Sequence, residues 1–204
     1  MTQQQQMDGV LQYLSKHARH VGSLDISGCN NGSVTLRQLP STLQLSSLQT
    51  SGLDVQLGPG DGCQGVLGAA AVVAALKQLR LSQSVLFEGD KGLAAAVLLL
   101  PTELQHLSIS ALYFYNEPFP TSVLHKLPHL TYLEFARIEL QGADKPSHAL
   151  QPLQALTRLA DLRLCVDDYE CNVTVSMLSG TCNLTHLELT SCSIEPGILV
   201  GKVK

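Results

Sequence analysis

One frame constrains this chain more than anything else in it: an apolar residue, a second three positions on, a third two positions after that, and a ladder residue three further. It recurs as Val21-Leu24-Ile26-Cys29, Leu45-Leu48-Thr50-Leu53, Leu76-Leu79-Leu81-Ser84 and Leu104-Leu107-Ile109-Leu112. It continues as Leu130-Leu133-Phe135-Ile138, Leu159-Leu162-Leu164-Asp167 and Leu184-Leu187-Leu189-Cys192. Residues two apart in a strand share a face, so the second and third apolar positions point inward while their neighbours point to solvent. The central leucines step by 24, 31, 28, 26, 29 and 25 residues, a spacing that leaves room for a strand and a return segment in every unit. The second frame is the weakest, with Thr50 at an inward position and no room for a helix between Asn31 and Leu45.

The return segments predict the other elements. A helix is expected from Asp8, which can cap it, with Leu11, Leu14, Ala18 and Val21 as its apolar stripe. Placed before the first strand, it would shield the open end of a stack. Residues 1–7, with glutamines at 3–6, are expected to be disordered. Further helices are expected over Val66–Leu76, over Leu93–Leu100 with a stop at Pro101, over Ser122–Leu127 behind a Thr121 cap, and over Pro152–Arg158. Val173–Ser179 reads as one short turn of helix. The repeat is expected to fill residues 8–199. Residues 200–204 read as a tail, and the segment Ile194–Lys204 ends apolar with no polar cap, which is expected to mean a longer natural chain or a surface that covers that end.

Composition narrows the function. A net charge of −4 and the absence of any basic tract argue against nucleic acid as a partner. The start carries neither the cationic nor the apolar part of a signal peptide, and no apolar run approaches the ~20 residues that span a bilayer. These features predict an intracellular protein, cytoplasmic or nuclear, without a membrane partner. Sequons at Asn31, Asn172 and Asn183 would matter only in a secreted chain. The six cysteines read as reduced thiols, because Cys165, Cys171, Cys182 and Cys192 contain no C-x-x-C pair to hold zinc.

No catalytic signature is present: the chain lacks G-x-S-x-G, H-E-x-x-H and G-x-x-x-x-G-K-[ST]. Asp167-Asp168-Tyr169-Glu170 lacks the length and glycine of a calcium loop. One nucleotide-like pattern does occur, Gly60-x-Gly62-x-x-Gly65 ahead of the alanine-rich run, with Glu88 and Asp90 further on. Nothing else of a dinucleotide-binding fold follows it, and the frame at Leu76 runs through in register. A turn feeding a buried helix accounts for it better. No catalytic residue, cofactor or metal is therefore assigned, and a nucleotide-binding enzyme using Gly60 to Gly65 is kept only as a remote alternative.

The solvent-facing strand positions form three lanes. The first reads Ser23, Ser47, Gln78, His106, Tyr132, Asp161, His186, and the second Asp25, Gln49, Arg80, Ser108, Glu134, Arg163, Glu188. The third, Ser27, Ser51, Ser82, Ser110, Ala136, Cys165, Thr190, is almost entirely small. With strands ~4.8 Å apart, Glu134, Arg163 and Glu188 are expected to pair with one another. Tyr132 is an aromatic anchor of the kind enriched at interfaces. The candidate partner-binding residues are Arg80, His106, Tyr132, Glu134, Asp161, Arg163, His186 and Glu188.

Leu184-Thr-His-Leu-Glu-Leu-Thr-Ser-Cys192, Val21-Gly-Ser-Leu-Asp-Ile-Ser-Gly-Cys29 and Leu130-Thr-Tyr-Leu-Glu-Phe135 resemble leucine-rich repeats. The resemblance implies an α/β solenoid, a horseshoe of about seven repeats, with a parallel sheet on the concave face and helices or turns on the convex one. It implies a non-catalytic module that binds a protein partner on its concave sheet, as a scaffold or substrate-recognition subunit. The ladder cysteines Cys29 and Cys192, with Cys182 ahead of the last frame, resemble the cysteine-containing subtype of ubiquitin-ligase substrate receptors, although no F-box-like segment precedes them. The alternative is a structural subunit of a longer repeat protein that packs through its C-terminal end.

Overall fold

The computed structural model describes residues 2–17, 20–27, 34–36, 38–55, 66, 74–82, 85–86, 99–110, 113–114, 121–136, 151–165, 172–174, 178–190 and 193–195. Each of the seven frames forms a strand of one parallel sheet. These strands are β1 (Ser23–Ile26), β3 (Ser47–Ser51), β5 (Gln78–Ser82), β7 (His106–Ser110), β9 (Tyr132–Ala136), β10 (Asp161–Cys165) and β12 (His186–Thr190), neighbours in that order. The register matches the frame at every step: Leu24, Leu48, Leu79, Leu107, Leu133, Leu162 and Leu187 lie side by side as one row. Thr50, the weak point of the second frame, keeps this register between Ile26 and Leu81 and is buried.

The strands are bound together at their entries by one repeated device. The carbonyl just before or at the start of each unit accepts two N–H groups from the next: Gly22 from Ser46 and Ser47, Ser46 from Lys77 and Gln78, Lys77 from Gln105 and His106. Gln105, Thr131 and Ala160 repeat it toward β9, β10 and β12. Hydroxyls of Ser46, Thr131 and Thr185 donate to the same carbonyls, so backbone groups at this rim are satisfied between units.

The return side carries a second parallel sheet of short strands, β2 (Thr35–Leu36), β4 (Asp54–Val55), β6 (Val85–Leu86) and β8 (Tyr113–Phe114), with β11 (Asn172–Thr174) and β13 (Ser193–Glu195) paired separately. Val55, Leu86, Phe114 and Ile194 each stand two positions beyond a ladder residue, so the apolar frame runs one place further than its four-residue form. The strand β11 replaces the turn of helix expected from Val173, in keeping with the β-branched pair Val173 and Thr174.

The two return helices expected over Ser122–Leu127 and Pro152–Arg158 are instead 3₁₀ turns, Thr121–Lys126 and Gln151–Ala155. The reason is periodic. Leu124, Leu127, Leu130 and Leu133 recur every third residue, as do Leu153, Leu156, Leu159 and Leu162, and all eight are fully buried. Three residues per turn with i→i+3 hydrogen bonds places Leu124, Leu127 and Leu130, and likewise Leu153, Leu156 and Leu159, on one side, whereas 3.6 would rotate them off it; Leu133 and Leu162 already belong to β9 and β10. Leu127 N–H donates to the Leu124 carbonyl, Leu130 to Leu127, Leu156 to Leu153 and Leu159 to Leu156. The helices expected over Val66–Leu76 and Leu93–Leu100 lie largely outside the described residues, although Val66, Leu76 and Leu100 are buried.

At the N-terminal end the expectation is corrected. The α-helix α1 spans Gln3–His17, so the glutamines are helical and Asp8 is not the cap. Thr2 is. Its Oγ1 accepts the Gln5 N–H (3.2 Å) while the Gln5 side chain takes the Thr2 N–H (2.9 Å), a reciprocal capping box. Met7 is buried, Leu11 and Leu14 pack on the core, and the Thr42 hydroxyl donates to the Ser15 carbonyl. Gln4 does something more specific. Its amide accepts the Thr35 N–H (2.8 Å) and donates to the Thr35 carbonyl (3.3 Å), pairing with the outer edge of β2 as a strand residue would. A second donation to Asp8 (2.9 Å) fixes its rotamer. Gln4→Ala should therefore cost about 1–3 kcal/mol in urea unfolding, two part-buried hydrogen bonds at ~0.5–1.5 each. Gln6→Ala, on the exposed side, should stay within ~0.5. Equal effects at the two positions would mean that α1 does not seal this edge.

Candidate functional site

Because side chains alternate along a strand, the face of the main sheet opposite the core presents the three lanes in register. His106, Tyr132, Asp161 and His186 adjoin in the first; Arg80, Ser108, Glu134, Arg163 and Glu188 adjoin in the second. Seven of the eight candidate residues join one contact network on β7, β9, β10 and β12.

Tyr132 is its centre. The His106 ring stacks beside it at 5.7 Å between centroids, from the strand on one side. The Arg163 guanidinium sits 5.5 Å from the ring centroid, from the strand on the other. The phenol donates to Glu134 Oε2 at 2.9 Å. Arg163 is in turn held by both Asp161 oxygens at 3.2 Å, and Glu188 lies 3.9 Å from its Nε and 4.0 Å from His186 Nε2. The expected pairing among Glu134, Arg163 and Glu188 is thus only partly formed. Arg163 turns along its own strand to Asp161, where a carboxylate two residues away meets its fork bidentately. Glu134 instead accepts from Tyr132 and from Ser108 (2.7 Å).

Ser108 is the residue that sequence reasoning left out of the site. It faces the open side yet is buried, because Glu134 of the adjoining strand reaches over its hydroxyl. Its place next to Glu134 in the second lane was the available signal. Arg80 stands apart. It lies on β5, exposed and with no ion pair among the described residues, and reaches Tyr132 only through its charge.

The electrostatics follow from these contacts. Burial pushes the Tyr132 phenol above its ordinary value; the hydrogen bond to Glu134 and that carboxylate's charge add to this, while Arg163 and Arg80 oppose it. The hydrogen bond to Asp161 holds Arg163 still more firmly protonated. A phenol raised in the folded state gives stability that is fully present below pH ~10 and lost as pH climbs through the folded value. With no Trp and five Tyr in the chain, absorbance titration reads this directly. The difference between wild type and Tyr132→Phe should show one phenol ionising above pH ~10, and a transition at or below that value would contradict the burial.

Among the described residues no group of three His, Cys, Asp or Glu is placed to hold a metal ion. Cys165 and Cys182 are free thiols, and Cys182 donates to the Thr157 carbonyl at 3.9 Å. The ladder cysteines Cys29 and Cys192, the acidic stretch 167–170 and the Gly60 to Gly65 pattern lie outside the described residues. No helix among the described residues is long and apolar enough to cross a membrane.

Comparison with family models and with curated proteins finds no match. Among solved structures, the chain is similar to an internalin, InlF, from Listeria monocytogenes, with a TM-score of 0.53 at 16% sequence identity. The likeness covers 85% of this chain but 42% of the internalin, so the chain spans less than half the length of the protein it matches. At that identity the likeness speaks to fold alone, and it agrees with the alternating parallel strands and three-residue leucine turns. The chain is a leucine-rich-repeat solenoid.

Proposed function

We propose that this chain is a non-catalytic protein-binding module whose partner sits on the open, concave face of the main sheet, around Tyr132 and Arg163. The observation that carries the reading is the bracing of these two side chains. Tyr132 lies between His106 and Arg163, and Arg163 is fixed by Asp161, all on regular strands. Aromatic and Arg side chains ordered before binding make effective anchors, since little rotamer entropy remains to be lost. Arg80, Glu134, His186 and Glu188 then surround this pair as a polar rim. The face sets four carboxylates (Asp25, Glu134, Asp161, Glu188) against two guanidiniums, which suits a protein surface better than a phosphate backbone. The leucine-rich-repeat fold is itself a scaffold that usually binds rather than catalyses.

The test is affinity capture with wild type and a folded Tyr132→Ala/Arg163→Glu variant, each interaction then measured with purified components. A partner whose binding falls more than ~10-fold with the variant places recognition on this face. Partners retained equally would move the contact elsewhere. The identity of the captured protein decides between a scaffold and a ligase-type substrate receptor. One observation favours a second, structural reading, in which the chain packs through its C-terminal repeat: Leu187, in the core row of β12, is exposed.

A further inference from the structure

The second lane of the open face sets Asp25, Gln49, Arg80, Ser108 and Glu134 side by side on β1, β3, β5, β7 and β9. Every other charged side chain on that face is engaged. Asp25 accepts from the Ser27 hydroxyl, Glu134 from Ser108 and Tyr132, and Arg163 is held by Asp161 with Glu188 beside it. Arg80 is the exception. It is exposed, and its side chain makes no hydrogen bond or ion pair among the described residues. Its neighbours in the lane, Gln49 and Ser108, are uncharged. The carboxylates beyond them, Asp25 and Glu134, each stand two strands away, roughly 9–10 Å at ~4.8 Å per strand. That separation exceeds the screening length of ~8 Å at physiological salt, so neither neutralises Arg80.

We infer that Arg80 is the subsite for a carboxylate side chain, Asp or Glu, of the protein partner. This rests on the concave-face reading proposed above and narrows it. The partner brings an acidic residue to β5 and seats its other contacts on Tyr132 and Arg163, two and three strands further on. A guanidinium offers five N–H donors in a planar fork that fits both oxygens of one carboxylate. The strand beneath it is paired on both sides, with β3 and β7, so the fork stands on a fixed backbone. Gln78 lies two residues before it on the same face, and Gln49 beside it, so two neutral amides flank the subsite and no carboxylate there repels an incoming one. Arg163 cannot serve the same purpose without giving up Asp161. The rest of the face selects a single carboxylate over a polyanion. A phosphate backbone laid across these strands would meet Glu134, Asp161 and Glu188, whereas one acidic side chain of a polypeptide meets Arg80 alone.

Random dodecapeptides displayed on phage and selected on the immobilised full chain supply the probe. The selected peptides should share an acidic residue at one recurrent position. As synthetic peptides they should lose more than ~10-fold in affinity against Arg80→Ala. Replacing that acidic residue with its amide should cost as much against the unaltered chain and nothing further against Arg80→Ala, because both changes remove one contact. Selection on Arg80→Glu should instead enrich Lys or Arg at that position. Circular dichroism of both variants should match wild type, since the replaced side chain is exposed. Peptides that tolerate Arg80→Ala but are lost with Tyr132→Ala/Arg163→Glu would overturn this inference and leave the concave site standing. Peptides indifferent to both would overturn the two together. A selection that yields no binder, binders without a recurrent acidic residue, or losses that simply add would also overturn the carboxylate subsite.

Discussion

Replacing Leu133 or Leu162 with alanine is expected to lower the free energy of unfolding by about 2–5 kcal/mol. Each side chain is fully buried, and each has a leucine of the same row on both sides: Leu107 and Leu162 flank Leu133, while Leu133 and Leu187 flank Leu162. A repeat stack transmits such a loss poorly, because each unit touches only its neighbours and cannot collapse around the cavity from several directions. The cost should therefore fall in the middle of the range or above it. Leu187→Ala is the internal control, since it removes the same atoms from the same row where the site is already partly solvated. At dilution it should cost about 1 kcal/mol. Urea denaturation of the three variants checks the gradient. A shift below ~1 kcal/mol for Leu133 or Leu162 would mean that these leucines are not in the core, contradicting the frame.

That frame was legible because it rests on a strand's two-residue period, which nothing in the return segments can alter. Once Leu24 and Leu187 belong to the same row, the lanes follow, and His106, Tyr132, Asp161 and His186 must adjoin. The return segments were misread for an equally physical reason. Leu124-Leu127 and Leu153-Leu156 alone suit a helical turn, but their continuation to Leu130 and Leu159 keeps a three-residue step that i→i+3 hydrogen bonds hold, up to the strands β9 and β10. At the N-terminus a glutamine run looked like composition, and the Thr2-to-Gln5 spacing of a capping box went unused. Within the site, strand register located the residues but could not say which acceptor each donor would take. Arg163 has Asp161 along its strand and Glu188 across it, and side-chain reach decides between them. Ser108 adjoins Glu134 in the second lane, where a carboxylate already taking the Tyr132 hydroxyl has room for a second donor.

Gly180→Ala should destabilise the chain by about 1–3 kcal/mol or more, while Gly9→Ala should stabilise it by about 0.5–1. The opposite signs come from what each added methyl group meets. A Cβ on Gly180 would lie 1.9 Å from the Gln154 carbonyl oxygen and 2.6 Å from its carbon. Those are backbone atoms of the 3₁₀ turn Gln151–Ala155, which cannot rotate aside. Gly180 sits in the turn that leads into β12, between Leu178 and Thr181, whose N–H donates to the Leu178 carbonyl at 3.0 Å. Glycine there lets one return segment seat directly against the previous one, with Asn183 donating to the Thr157 carbonyl (2.7 Å) alongside. Gly9 lies within α1 with nothing within 4 Å of its would-be Cβ, so alanine there changes only helix propensity. Thermal and urea unfolding of the two variants read both signs at once. A neutral Gly180→Ala would mean that the last two return segments are not seated on each other. The position of β12, and with it the exposure of Leu187, would then have to be drawn differently.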